Sequence, residues 1–142
     1  MKKRNGFTLI ELLAVIVVLA IILVIAVPKV LETIDNARLG AIQSSAKLIA
    51  SQAETQYLVN QTTGKDNPAT VTCGELVSVT TADFDTSSTS NCNVTINTST
   101  GAATVTVLVG KAGGKFAGYK CFNSTKDSAT CCKTTGTSCP TS

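Results

Sequence analysis

An apolar run near the start of the chain constrains the fold more than any other feature. The run covers residues 7–27, and its polar side chains are those of Thr8 and Glu11. As a helix with a rise of ~1.5 Å per residue, it is about 32 Å long, enough to cross the ~30 Å apolar core of a bilayer. We therefore predict a helix that lies in a membrane or among other apolar helices.

Pro28 follows this run directly. Proline lacks a backbone N–H and crowds the preceding turn, so it stops or kinks a helix. Beyond it, apolar residues still recur at gaps of three, four and seven, with charged residues between them, which is typical of an amphipathic helix. We predict one long helix from about Phe7 to Asn60 that is bent near Pro28. Its first half is apolar on all sides and its second half is amphipathic.

From Pro68 onward the amino-acid composition changes, and Thr, Val, Ser, Asn and Gly become frequent. Residues 93–97 and 103–107 alternate in polarity around a turn at 98–101, which predicts a β-hairpin. We expect a third antiparallel strand within 116–122 and a loop from Asn123 to the end, while 72–77 is compatible with a strand or a short helix. The predicted fold class is α+β, with a long N-terminal helix packed on a small antiparallel sheet.

The first thirteen residues, M-K-K-R-N-G-F-T-L-I-E-L-L, join a short basic leader to the apolar run. An ordinary secretory signal is cut after its apolar core, at small residues. Ala26-Val27-Pro28 is a poor site of that kind. An unprocessed membrane anchor explains the run, but it does not explain a carboxylate four residues after Phe7.

Gly6-Phe7-Thr8-Leu9-Ile10-Glu11 resembles the processing motif of type IV prepilins and pseudopilins. The resemblance implies a membrane aspartyl peptidase that cuts between Gly6 and Phe7 and methylates Phe7. It also implies a removed leader at 1–6, a transmembrane and filament-core helix at 7–28, an amphipathic helix at 29–60 and a disulfide-stapled head at 61–142.

Glu11 is the expected assembly residue, because an ionisable group inside an apolar helix is costly without a partner. Cleavage creates such a partner, the new amine of Phe7. Glu11 of one subunit is expected to pair with the Phe7 amine of a neighbour and to set the axial register of the filament. Two alternatives are a carboxylate that reaches the lipid headgroups and one that bonds to Thr8 of its own chain.

Six cysteines lie between Cys73 and Cys139, without a C-x-x-C spacing, in a chain that has no His. This pattern favours disulfides in an oxidising, extracytoplasmic place over a metal site. Adjacent cysteines seldom bond to each other, so Cys131 and Cys132 are expected to have different partners. We expect Cys121 to bond to one of them and Cys139 or Cys92 to the other, in a C-terminal loop similar in position to those of many pilins. The disulfide candidates are Cys73, Cys92, Cys121, Cys131, Cys132 and Cys139.

The net charge of +3 comes from the leader, since three of the twelve basic residues are Lys2, Lys3 and Arg4 and nine remain against nine acidic residues. The sequence therefore gives no strong nucleic-acid signal. Several lysines lie in the C-terminal part of the head, and we interpret them as solvated surface, with DNA contact as the alternative. The Asp83–Asp85 pair is also interpreted as solvated surface, with a calcium-binding loop as the alternative. No catalytic group, cofactor site or metal site is expected, so we predict that the chain is not an enzyme.

The resemblance implies a structural subunit of an extracellular type IV pilus, serving adhesion, aggregation or surface motility. Its expected partners are copies of itself, the prepilin peptidase and methyltransferase, a membrane assembly platform, and the lipid bilayer before assembly. The precursor is expected in the cytoplasmic (inner) membrane and the product on the cell surface. The alternatives are a pseudopilin of a secretion or DNA-uptake machine and an unprocessed single-span protein with a binding head.

Overall fold

A computed structural model describes residues 6–76, 82–135 and 139 of the chain. It divides into two compact units, Met1–Asn36 and Ala37–Ser142. The first five residues of the predicted leader lie outside the described residues, as does Val77 at the end of the segment that was compatible with strand or helix.

Helix α1 spans Leu9–Thr63 and begins and ends with recognisable caps. Gly64 follows its last residue with a φ of 70°, and the Lys65 amide donates to the Asn60 carbonyl at 3.0 Å. A glycine in the left-handed region with this bond is the usual way to satisfy the last carbonyls of a helix. The helix is continuous through Pro28, and the bend expected there stays a prediction.

The second unit contains a five-stranded antiparallel sheet in the order β1-β2-β3-β4-β5. A single 3₁₀ turn, Cys73–Glu75, follows β1, so the segment compatible with strand or helix contains both. The predicted α+β fold class is confirmed, including the hairpin of β2 and β3. The strands are β1 Thr70–Thr72, β2 Cys92–Ile96, β3 Ala103–Val109, β4 Tyr119–Ser124 and β5 Thr130–Lys133.

Two expectations for the end of the chain need correction. The third strand was expected within 116–122, but β4 begins at Tyr119, and Phe116 instead stacks on Phe84 with ring centroids 5.1 Å apart. The tail expected to be loop contains β5, which pairs antiparallel with β4. The sequence of β5, Thr-Cys-Cys-Lys, has no alternating pattern, so its strand conformation depends on pairing with β4 rather than on local preference.

The core forms where the inner face of α1 packs on the sheet. The buried helix positions recur with helical spacing, half of them are alanine, and they cluster with inward-facing residues of β2, β3 and β4. Polar contacts add to this packing: Glu54 accepts from the Ala103 amide at 3.3 Å and pairs with Lys126 at 3.0 Å. The buried helix residues are Ile42, Ala46, Ile49, Ala50, Ala53 and Tyr57.

Three disulfides hold the edges of the sheet. Cys73, just after edge strand β1, bonds to Cys92 at the start of β2. At the other edge Cys121 of β4 bonds to Cys131 of β5, and Cys132 bonds to Cys139. Because a disulfide restricts the unfolded chain, each bond is expected to stabilise the head by about 2–4 kcal/mol.

Tyr57 joins the end of α1 to the turn between β2 and β3. Its hydroxyl donates to the Thr98 carbonyl at 2.6 Å and accepts from Gln61 at 2.9 Å. Its ring covers Gly101, where φ is 76° and a Cβ atom would lie 2.9 Å from two ring carbons. Only glycine combines this conformation with this close approach.

We predict that Gly101→Ala lowers the free energy of unfolding by about 2–5 kcal/mol. The left-handed conformation costs a residue with a Cβ about 1–2 kcal/mol, and overpacking against Tyr57 adds about 1–3 kcal/mol. Gly64→Ala is the matched control, since Gly64 also has a positive φ but no atom within 4 Å of the added Cβ. Urea unfolding of the oxidised chain in detergent measures both variants, and equal losses would contradict the packing argument.

Candidate functional site

The helix start at Thr8 and Glu11 is the candidate site, and its contacts form a capping box. The Glu11 carboxylate accepts from the Thr8 amide and the Thr8 hydroxyl, each at 2.8 Å. The Glu11 amide donates back to the Thr8 hydroxyl at 3.3 Å. This reciprocal arrangement satisfies backbone donors that the first turn of a helix otherwise leaves free.

This arrangement gives Glu11 a role within its own chain. N-terminal caps contribute about 1 kcal/mol to a helix, and a carboxylate in the first turn is also favoured by the helix dipole. The contact matches one of the alternatives that the sequence left open for Glu11. The T-x-x-E spacing from Thr8 to Glu11 is itself a sequence signal for a capping box, and the sequence analysis used it only as an alternative contact.

Gly6 and Phe7 precede the helix in exposed, non-helical backbone. The Phe7 side chain is 83% exposed. A Cβ added at Gly6 meets no atom within 4 Å, and Gly6 is not among the glycines with positive φ. Among the described residues, nothing therefore requires glycine at this position, and we attribute a requirement for it to another molecule that binds this backbone.

The first part of α1, as far as Val27, presents an apolar surface on all sides. Its large apolar side chains from Phe7 to Val27 are 49–85% exposed. Among the described residues, α1 is the one helix long and apolar enough to cross a membrane. Exposed apolar surface of this extent is found where a protein meets lipid or another protein.

Comparison with protein families gives one match, and it covers this site. The family model of the prokaryotic N-terminal methylation motif matches residues 1–27. The chain carries the type IV pilin and pseudopilin signature. No curated protein and no solved structure matches the chain significantly.

The type IV pilin and pseudopilin signature contains Gly6, Phe7 and Glu11, the residues singled out for cleavage, methylation and assembly. It indicates a structural rather than an enzymatic family, processing by a prepilin peptidase and a membrane-anchored precursor. The structure brings Glu11 to Thr8, and the pairing of Glu11 with a neighbour's Phe7 amine stays a prediction. Pro28 and all six cysteines lie beyond the matched residues.

The carboxylate of Asp85 in the head is engaged in loop contacts. The Asp85 carboxylate accepts from the Ser87 hydroxyl and amide and from the Asn91 side chain. These bonds, first those from Ser87, lower the pKa of Asp85. Within the described residues no group of three or more His, Cys, Asp or Glu is placed to hold a metal ion.

We predict that Gly6→Ala blocks removal of the leader without changing the fold, because a methyl group here finds open space in the chain itself. The measurement is N-terminal peptide mass spectrometry of the membrane fraction. The wild type should begin at N-methylated Phe7 and the variant should retain Lys2 to residue 6. Gly40→Ala, also in open space, is the matched control and should be processed normally. Normal processing of the Gly6 variant would contradict the assignment.

Proposed function

We propose that the chain is a structural subunit of an extracellular type IV pilus, cut between Gly6 and Phe7, methylated at Phe7 and polymerised through α1. The observation that carries this proposal is the match of the methylation motif to residues 1–27, in front of a helix whose apolar surface is exposed. Its partners are then the peptidase and methyltransferase, the membrane assembly platform and other copies of the chain.

Cleavage before the apolar run, rather than after it, supports assembly through the helix. The cut removes the basic residues Lys2, Lys3 and Arg4 and retains the whole apolar segment. The mature helix starts at the membrane surface, so it can leave the bilayer along its axis without carrying those charges across. Lipid covers the segment before assembly, and sister helices cover it afterwards.

Glu11 supplies register in an interface that is otherwise apolar. Apolar helices slide past one another at little cost, whereas a buried polar pair fixes one alignment. The carboxylate lies one helical turn from the new amine of its own chain, at the end of the segment where a neighbour's amine can reach it. We propose that assembly exchanges the Thr8 contacts of Glu11 for the Phe7 amine of the adjacent subunit.

Two substitutions separate the cap from the charge, and we predict opposite results for them. Glu11→Gln keeps a side chain that can complete the capping box but removes the charge, so filaments should be lost at least ten-fold. Thr8→Ala removes the cap but keeps the charge, so filaments should persist. Electron microscopy and the quantity of sheared filament measure assembly, and membrane-inserted subunit is quantified as the control for expression.

Equal loss of filaments in the two variants would contradict the register role and would reduce Glu11 to a helix cap. Normal filaments in the Glu11→Gln variant would contradict the need for charge. Thr8→Ser is the conservative control, since its hydroxyl can rebuild the capping box.

The pseudopilin alternative rests on the same signature, and the location of the product distinguishes it. We predict that shearing of intact cells releases abundant chain that begins at methylated Phe7. Intact-mass spectrometry of the sheared and envelope fractions provides the measurement. A processed chain confined to the envelope would contradict a pilus subunit and favour a pseudopilin. A chain that retains Lys2 to Gly6 in both fractions would leave only a membrane-anchored head.

A further inference from the structure

A groove lined by carboxamides lies in the second unit, between the last turns of α1 and the segment from Asn67 to Leu76. Its main cavity has a volume of about 410 Å³, with Gln56 and Asn60 on the helix side and Pro68 and Val71 opposite. A second cavity of about 310 Å³ shares Gln56 and Leu76 with it and extends to Gln52. The groove therefore continues along the helix from Gln52 to Asn60.

The helix wall of the groove carries three carboxamides, four residues apart. Gln56 donates to the Asn60 side-chain oxygen at 3.0 Å, which orients both groups. The side-chain oxygen of Gln52 is buried and has no hydrogen-bond partner among the described residues. A buried acceptor without a donor is costly, so a turn of this side chain into the groove, where its oxygen can accept from a ligand's donor, is favoured.

The described lining of the groove carries one charged side chain. It is Glu75, whose carboxylate accepts from the Thr72 amide at 3.1 Å. The wall opposite the carboxamides is apolar, formed by Pro68, Val71 and Leu76. A suitable ligand therefore carries no acidic side chain, and it forms hydrogen bonds on one side and apolar contacts on the other.

The spacing of the carboxamides selects an extended polypeptide. Residues four apart on a helix are separated by about 6 Å along its axis, and two residues of an extended strand advance by about 6.6–6.8 Å. Each carboxamide offers a donor and an acceptor, the same pair that a peptide group requires. We propose that the groove binds an extended segment of another protein that has no acidic side chains, with a carboxamide at every second residue and alternate side chains against Val71 and Leu76.

The test is an NMR titration of the full-length ¹⁵N-labelled chain in detergent micelles. The probe is an acetylated and amidated pentapeptide of alternating threonine and valine. We expect shifts of the side-chain NH₂ signals of Gln52, Gln56 and Asn60. A peptide with glutamate in place of each valine should leave these signals unmoved, because the valine positions face apolar contacts and the nearby Glu75 carboxylate repels the added negative charges.

Substitutions in the groove test the assignment. Gln56→Ala should weaken binding of the peptide about ten-fold, since the hydrogen bonds of one carboxamide are lost. Gln56→Arg should weaken it further by adding a charge. Gln43→Ala is the matched control, a carboxamide on the same helix that does not line either cavity. The NMR spectrum reports directly whether each variant remains folded.

Four results would overturn the proposal. The first is that the NMR signals of the groove stay unmoved up to the solubility limit of the peptide, and the second is that Gln43→Ala weakens binding as much as Gln56→Ala does. A neutral oligosaccharide that shifts these signals when the peptide does not would make the groove a glycan site. Chemical shifts of these signals that change with the concentration of the chain alone, together with loss of peptide binding at high chain concentration, would assign the groove to a second copy of the chain.

Discussion

The large apolar side chains from Phe7 to Val27 are 49–85% exposed in the chain by itself. Covering such surface is worth about 25 cal/mol per Å², so the segment is stable only in lipid or against other apolar helices. The same helix contributes to the core of the second unit, because α1 runs to Thr63 and six of its residues between Ile42 and Tyr57 are buried there. One continuous element thus carries both the membrane or filament segment and the folding of the head.

The head has a thin core, and disulfides at the edges of its sheet compensate for this. Ala46, Ala50 and Ala53 are fully buried on the inner face of α1, where small side chains contribute little apolar area. Edge strands β1 and β5 have three and four residues, too few to hold their places by pairing alone. Cys73–Cys92 fixes one edge, and Cys121–Cys131 and Cys132–Cys139 fix the other. Covalent bonds thus stabilise the parts of the sheet that packing supports least.

The predictable parts of this chain were those whose signal is local. Three patterns can be read within short stretches of sequence: the apolar run, the motif from Gly6 to Glu11 and the alternating hairpin at 93–107. Each reflects a conformational preference of the backbone or the exclusion of apolar side chains from water. Strand β5 was missed because Thr130–Lys133 becomes a strand only through β4 and the Cys121–Cys131 bond. The groove at Gln52, Gln56 and Asn60 could not be predicted from the sequence, because its opposite wall is brought against the helix only by the tertiary fold.

The capping box makes the proposed role of Glu11 conditional on its surroundings. In the single chain, Thr8 satisfies the carboxylate at a gain of about 1 kcal/mol, which is enough to order the helix start but not to compete with a strong partner. Between packed apolar helices, leaving one member of a buried ion pair alone costs about 3–5 kcal/mol. In the proposed filament, the amine of a neighbouring Phe7 would therefore displace Thr8 only where both charges are removed from water. Under this proposal the carboxylate stays with its own chain before assembly and selects the correct alignment during it, because a misaligned neighbour offers no amine to replace the Thr8 contacts.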